Sequence, residues 1–219
     1  MIIDSGVKKK LPLSSAVILA PHTDDGELGC GATIARMIRE GVQVYYVAFS
    51  ICEESVPAGY PRDILGREVQ SATRKLGIKS ENLMVYKYPV RHFNSHRQQI
   101  LEDLVRLRKQ LNPDWVFTPS SHDIHQDHKV INAESVRAFK NTASIFGYDL
   151  PWNQTISDST ALIMVTESDV QAKCEAFSCY KTQSFRPYDS ALINSLAVVK
   201  GVQVESKLAE AFEVLRLLM

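Results

Sequence analysis

The stretch Ala16-Val17-Ile18-Leu19-Ala20-Pro21-His22-Thr23-Asp24-Asp25 decides how this chain is read. Its first five residues are apolar, with β-branched Val17 and Ile18 at the centre, as in a strand buried on both faces. Such a strand normally ends in turn residues and a helix start. This one ends in an imidazole and two carboxylates, groups that ligate divalent metal ions and move protons. A second cluster, His122, Asp123, His125, Asp127 and His128, follows another strand-like run, Asp114-Trp115-Val116-Phe117-Thr118. The two clusters read as halves of one metal site.

Strand and helix signals alternate outward from these points. Strands are expected at 16–20, 42–49, 83–86, 115–118, 144–148 and 161–165. Helices are expected at 31–40, 62–76, 95–111, 128–140, 168–180 and 190–200. Such alternation predicts an α/β fold, a Rossmann-like three-layer sandwich with a mostly parallel central sheet. No linker divides the chain, so residues 1–219 are expected to form a single domain. In the doubly wound strand order 3-2-1-4-5, the first and fourth strands are neighbours where the order reverses, and ligands bind outside their carboxyl ends. Both polar clusters leave those ends, so residues about a hundred positions apart are expected to share one crevice. Gly29 and Gly31 are expected to let the first helix pack closely on the sheet.

The chemistry assigns roles. A hydrolytic zinc has three protein ligands and an open position. The spacing His22-x-x-Asp25 lets one turn present two ligands, and His128 supplies a third. Asp24 then lies beside the ion as general base. His125, as an imidazolium, stabilises an oxyanion or serves a leaving amine. Asp127 or Asp123 holds an imidazole in one tautomer. These parts suit hydrolysis of an amide or ester. The competing reading of Asp24 or Asp25 is a helix N-cap, and that of residues 122–128 is a solvated polar loop.

Composition narrows the classes. Twenty-five basic and 25 acidic residues give a formal net charge of zero, which argues against a nucleic-acid partner. No run approaches the roughly 18 apolar residues of a membrane span. Residues 1–13 carry three lysines but no apolar stretch long enough for a signal peptide. The expected location is cytoplasmic. The four cysteines (Cys30, Cys52, Cys174, Cys179) show no CxxC spacing and read as reduced thiols.

The motifs resemble those of the LmbE-like/PIG-L family of zinc-dependent de-N-acetylases. That family's P-H-P-D-D-E-x-L-G-C-G-G-T appears here as Pro21-His22-Thr23-Asp24-Asp25-Gly26-Glu27-Leu28-Gly29-Cys30-Gly31-Ala32-Thr33. Its H-P-D-H appears as His125-Gln126-Asp127-His128. Tyr180-Lys181-Thr182-Gln183 is similar to its later Y-K-S-Q region, and residues 209–214 to its closing segment. Thr23, Gly26 and Ala32 depart from the pattern without removing a proposed ligand. The resemblance implies His22, Asp25 and His128 as Zn²⁺ ligands, Asp24 as general base and His125 at the oxyanion and leaving amine. It implies release of acetate from an N-acetylglucosamine-type sugar or conjugate as small-molecule substrate. Members commonly assemble, which leaves a homo-oligomer open. His and carboxylate ligands do not select zinc strongly, so Fe²⁺ stays open too. Arg62 and Arg91 are candidates to face an anionic group on the substrate. Segments 50–60, 90–95 and 145–159 are expected to choose the substrate.

Two rivals remain at this level. One is a non-catalytic metal- or sugar-binding relative on the same fold. The other is a methyltransferase, because Glu27-Leu28-Gly29-Cys30-Gly31 is similar to the acidic-x-G-x-G turn that binds S-adenosylmethionine.

Overall fold

A computed structural model describes residues 10–218. Residues 1–9, most of the segment read above for a leader, lie outside the described residues. The elements are β1 (Ser15–Ala20), α1 (Asp25–Arg39), β2 (Gln43–Ala48), α2 (Ile64–Lys75), β3 (Leu83–Val85), α3 (Arg97–Leu111), β4 (Trp115–Pro119), α4 (Gln126–Phe139), β5 (Ser144–Tyr148), β6 (Ser159–Met164), α5 (Glu167–Phe177), α6 (Ser190–Val202) and β7 (Ala209–Arg216). The strands form one sheet in the order β3-β2-β1-β4-β5-β7-β6. The first five are parallel, in the expected 3-2-1-4-5 order. β7 joins antiparallel to β5, and β6 antiparallel to β7.

Strand alternation sorts the core into two layers. Ala16, Ile18, Val44, Tyr46, Phe117 and Phe146 face α1, α2, α5 and α6. Val17, Leu19, Val47, Val116 and Ile145 face α3 and α4. Helices therefore cover both faces, and β1 and β4 are apolar apart from Ser15 and Thr118 for that reason.

The structure departs from expectation at two places that bear on the site. The first helix begins at Asp25, six residues before the expected start at 31. Asp25 and Glu27 fall in its first turn, where the helix dipole favours carboxylates. α1 then kinks at Cys30 (φ −145°, ψ 26°). The kink frees backbone N–H groups, and Glu210 of β7 takes them: Thr33 N donates to its Oε2 at 2.6 Å and Ala32 N to its Oε1 at 3.2 Å. Lys173 of α5 donates to the same carboxylate at 2.6 Å. The run 27–31 is thus helix interior rather than a strand-to-helix turn, which overturns the methyltransferase reading.

The second departure is β7, which carries no clean period-2 signal because Glu210 and Glu213 are both buried within it. It lies between β5 and the edge strand β6 and supplies anchors to α1 and to the β4–α4 loop. Four cysteines are free, with Cys30 and Cys52 buried. No helix among the described residues is long and apolar enough to cross a membrane.

Gly29 backs onto the ring of Tyr148, which donates to Leu19 O across the sheet at 3.0 Å. Gly31 backs onto Lys173 of α5 rather than onto the sheet. A Cβ at Gly29 would lie 2.3 Å from the buried Tyr148 ring. Gly29→Ala is therefore expected to cost about 1–3 kcal/mol, read as a lower urea midpoint with an unchanged m-value.

Candidate active site and metal centre

β1 pairs directly with β4, so the chain segments leaving their carboxyl ends converge. The β1–α1 turn brings His22, Asp24 and Asp25. The β4–α4 loop and the first turn of α4 bring Asp123, His125, Asp127 and His128. Three atoms form a triangle with equal sides. His22 Nδ1 and His128 Nε2 are 3.2 Å apart, and each is 3.2 Å from Asp25 Oδ2. Ligand atoms at about 2.0 Å around a tetrahedral ion stand about 3.3 Å from one another. The triangle therefore has the size of one face of a zinc coordination shell. His125 adds a ring nitrogen to a wider group, in which one nitrogen from each of His22, His125 and His128 lies within 4.8 Å of the others. Asp25 sits inside the tighter set. His125 spends Nδ1 as the α4 N-cap, accepting from Asp127 N at 3.2 Å.

The far nitrogens of both triangle imidazoles meet buried carboxylates. His128 Nδ1 lies 2.7 Å from Asp123 Oδ2, and His22 Nε2 lies 3.1 Å from Asp127 Oδ2. Such partners fix ring orientation and tautomer. Asp127 also accepts from Arg91 N at 2.6 Å and Phe93 N at 3.3 Å. Asp127, expected from sequence to hold an imidazole in one tautomer, thus contacts His22 and backbone amides. Asp123 accepts from His125 N at 2.8 Å as well. Its loop is pinned to β7, where Glu213 accepts from Ser120 Oγ (2.9 Å) and Ser121 N (2.8 Å).

Asp24 occupies the N-cap position of α1 but makes no side-chain cap hydrogen bond. Asp24 instead lines an open cavity of about 220 Å³, together with His125, Arg91, Arg186, Trp152 and Tyr188. Burial, reinforced by the neighbouring Asp25 charge, pushes Asp24 up to about 6. The turn that carries it is held from below. Tyr46 and Tyr180 hydroxyls both reach Thr23 O, at 2.9 and 2.7 Å, and both reach the Glu27 carboxyl. Burial pushes Glu27 up to about 8, against those hydrogen bonds.

Arg91 lines this cavity, whereas Arg62 lines an adjoining cleft with Glu53, Glu54 and Lys87. Gln183, the last residue of the Tyr180-Lys181-Thr182-Gln183 run, was quoted from sequence without a role, and Arg186 and Tyr188 just after it escaped the sequence reading. All three line the cavity, and nothing in their spacing marks a wall. Of the three segments expected to shape the pocket, each contributes: Cys52 and Ser55, Val90 and Arg91, Trp152 and Asn153.

The imidazoles differ in charge. Burial pushes His128 down, but the Asp25 charge and the Asp123 hydrogen bond outweigh it and raise it to about 10. His125 is lowered to about 4 by burial and by the charges of His128 and His22. In the metal-free protein, NMR titration is expected to find His128 still imidazolium at pH 8 and His125 neutral there. Because His128 is raised on folding, its contribution to metal-free stability is complete below about pH 6.5 and is lost as the pH rises through about 10.

Comparison with known proteins agrees with this fold and places the chain in a family. The chain is 25% identical over 156 residues to the uncharacterized deacetylase YaiS of Escherichia coli strain K12, covering 68% of this chain and 82% of that one. The N,N'-diacetylchitobiose deacetylase of Pyrococcus horikoshii, solved with its inhibitor, superposes with a TM-score of 0.74 at 18% identity, covering 93% and 84% of the two chains. GalB, the 4-carboxy-2-hydroxymuconate hydratase of Pseudomonas putida KT2440, superposes with a TM-score of 0.73 at 14% identity, covering 94% and 98%. At such identities the likeness shows the fold, and two different chemistries share it. The family model described as PIG-L, GlcNAc-PI de-N-acetylase, matches residues 17–139, which include every member of both polar clusters. The chain belongs to the PIG-L de-N-acetylase family.

Proposed function

We propose that this chain is a metal-dependent N-deacetylase that releases acetate from an N-acetylglucosamine-type sugar or conjugate. One observation carries the reading: an equal-sided His22–Asp25–His128 triangle of ligand size beside an Asp24 carboxylate that no helix cap consumes. The family description and the name of the Pyrococcus neighbour, both deacetylases of N-acetylated sugars, support the choice of substrate. His22, Asp25 and His128 would hold the ion, and their donor set suits Zn²⁺ and Fe²⁺ alike. When bound, the ion supplies a Lewis acid that polarises the amide carbonyl and acidifies the attacking water.

The remaining steps belong to the chain. Asp24 takes the proton of the attacking water. The neutral His125 ring accepts at Nδ1, so its proton lies on Nε2, and Nε2–H donates to the developing oxyanion. A resting imidazolium at His125 is opposed by burial and by the neighbouring positive charges. The proton on Asp24 therefore returns to the departing nitrogen as the C–N bond breaks, giving acetate and a free amine.

Asp24→Ala is expected to keep the metal and lower kcat about 10²–10⁴-fold. Equal turnover in wild type and variant would remove Asp24 as the base, and no turnover in the metal-loaded wild type would favour the non-catalytic binding reading. An Asp24 that has gained its proton accepts none, so kcat/KM falls as pH drops through its pKa. The metal-free value is about 6, and a bound cation moves it down, so the acid limb of the rate profile is expected at or below about pH 6. Asp123→Ala, checked for folding by circular dichroism, is expected to weaken metal binding about 10–100-fold. Unchanged affinity would remove Asp123–His128 from the metal site.

A further inference from the structure

The cavity that Asp24 and His125 line has an uneven charge. Asp25 is committed to two imidazoles, which leaves the half-buried Asp24 as the uncommitted carboxylate of the cavity. Against it stand two guanidinium groups, Arg91 and Arg186. Among the described residues neither side chain has an ion pair or hydrogen bond, although most arginines near the sheet do, as with Arg39–Asp169 and Arg97–Glu134. The adjoining cleft differs: its Arg62 and Lys87 are matched by Glu53 and Glu54.

Both side chains are exposed; Arg186 is held against ring faces and Arg91 through its backbone, so neither spends its guanidinium donors. Arg186 lies over the rings of Phe185 and Tyr188, at 5.5 and 5.6 Å from their centroids. Tyr188 in turn stacks on Trp152 at 3.8 Å. A guanidinium set against a ring face keeps its in-plane N–H groups free for a planar or tetrahedral anion. Arg91 adopts a left-handed backbone (φ 70°), a costly conformation for a residue with a β-carbon. Its amide is locked there by Asp127 at 2.6 Å. Three residues before Arg186, Gln183 Oε1 is buried in the same wall without a hydrogen-bond partner. A buried acceptor left unpaired is costly, and a sugar hydroxyl is the donor that would satisfy it.

We propose that the sugar conjugate accepted here carries an anionic group, a carboxylate or a phosphate, bound by Arg186 and Arg91, while Gln183 accepts from a sugar hydroxyl. The inference rests on the deacetylase reading for the identity of the sugar but not for the binding of the anion. An apolar groove abuts the same cavity through Leu28, Trp152 and Tyr188, so a neutral apolar aglycone is the competing ligand.

The test measures Kd by calorimetry on zinc-loaded protein. The ligands are N-acetylglucosamine 1-phosphate, carboxymethyl N-acetylglucosaminide, methyl N-acetylglucosaminide and octyl N-acetylglucosaminide. Acetate release is followed separately. At least one anionic ligand is expected to bind on the order of tenfold tighter than the methyl glycoside, and comparison of the two names phosphate or carboxylate. In Arg91→Ala/Arg186→Ala that ratio is expected to fall toward one, with Arg186→Lys restoring part of it. A preference that survives in the double variant would belong to the metal and overturn the proposal. So would the absence of any preference, or tightest binding of the octyl glycoside. Intact anion preference without acetate release from any ligand would instead sink the deacetylase reading and leave the two arginines their role.

Discussion

The pairing of β1 with β4 is the constraint on which the rest depends. Ala16, Val17 and Ile18 lie opposite Trp115, Val116 and Phe117 in a parallel ladder. Parallel strands point their carboxyl ends the same way, and the chain leaves these two toward opposite halves of the sheet. The crevice between the departing segments is what an open α/β sheet offers to ligands. Here it is filled by imidazole and carboxylate. Were β4 elsewhere in the order, the two clusters would be ordinary polar loops. Because they are adjacent, His22 and His128 come within 3.2 Å of each other across 106 positions of sequence.

Buried acids hold that crevice in shape. Glu27, Asp123, Asp127, Glu210 and Glu213 are all removed from water. A buried charge costs several kcal/mol unless it is paired and hydrogen-bonded. Each of these five is satisfied by groups that belong to the site or to the segments that carry it. Glu27 ties the Thr23 turn to β2 and to the segment after α5. Glu210 caps the second half of the kinked α1, and Glu213 fixes the loop that delivers Asp123. Asp123 and Asp127 orient one imidazole each. The polar interior thus trades packing energy for position: every loop that carries a reacting group is tied at least once to a carboxylate from another element.

Much of the fold was legible because its signals are local. Continuous apolar runs at 16–20 and 115–118, amphipathic helices between them and turn residues at their ends marked the five parallel strands and their order. The start of α1 was not, because Asp25, Glu27 and two glycines look like loop. They are helical because Glu27 has tyrosine partners in the core and because Gly26 and Gly29 admit Tyr46 and Tyr148. β7 was missed for a related reason. Its inward glutamates break the apolar alternation, and the groups that satisfy them lie on α1, α5 and the β4–α4 loop.

The sequence by itself determined the α/β architecture, the two clusters and the residue types able to hold a metal ion and move a proton. These are properties of short segments, and periodicity and side-chain chemistry express them directly. Only the tertiary structure decided which imidazole each carboxylate orients, that Asp24 is free of helix capping, and that Arg186 and Gln183 wall the same cavity as Arg91. Those facts are contacts between residues far apart in the chain. Tyr180 meets Thr23 across 157 positions. No spacing within a segment records such a meeting, because it is created by sheet order and by the packing of α5 and the segment after it against α1.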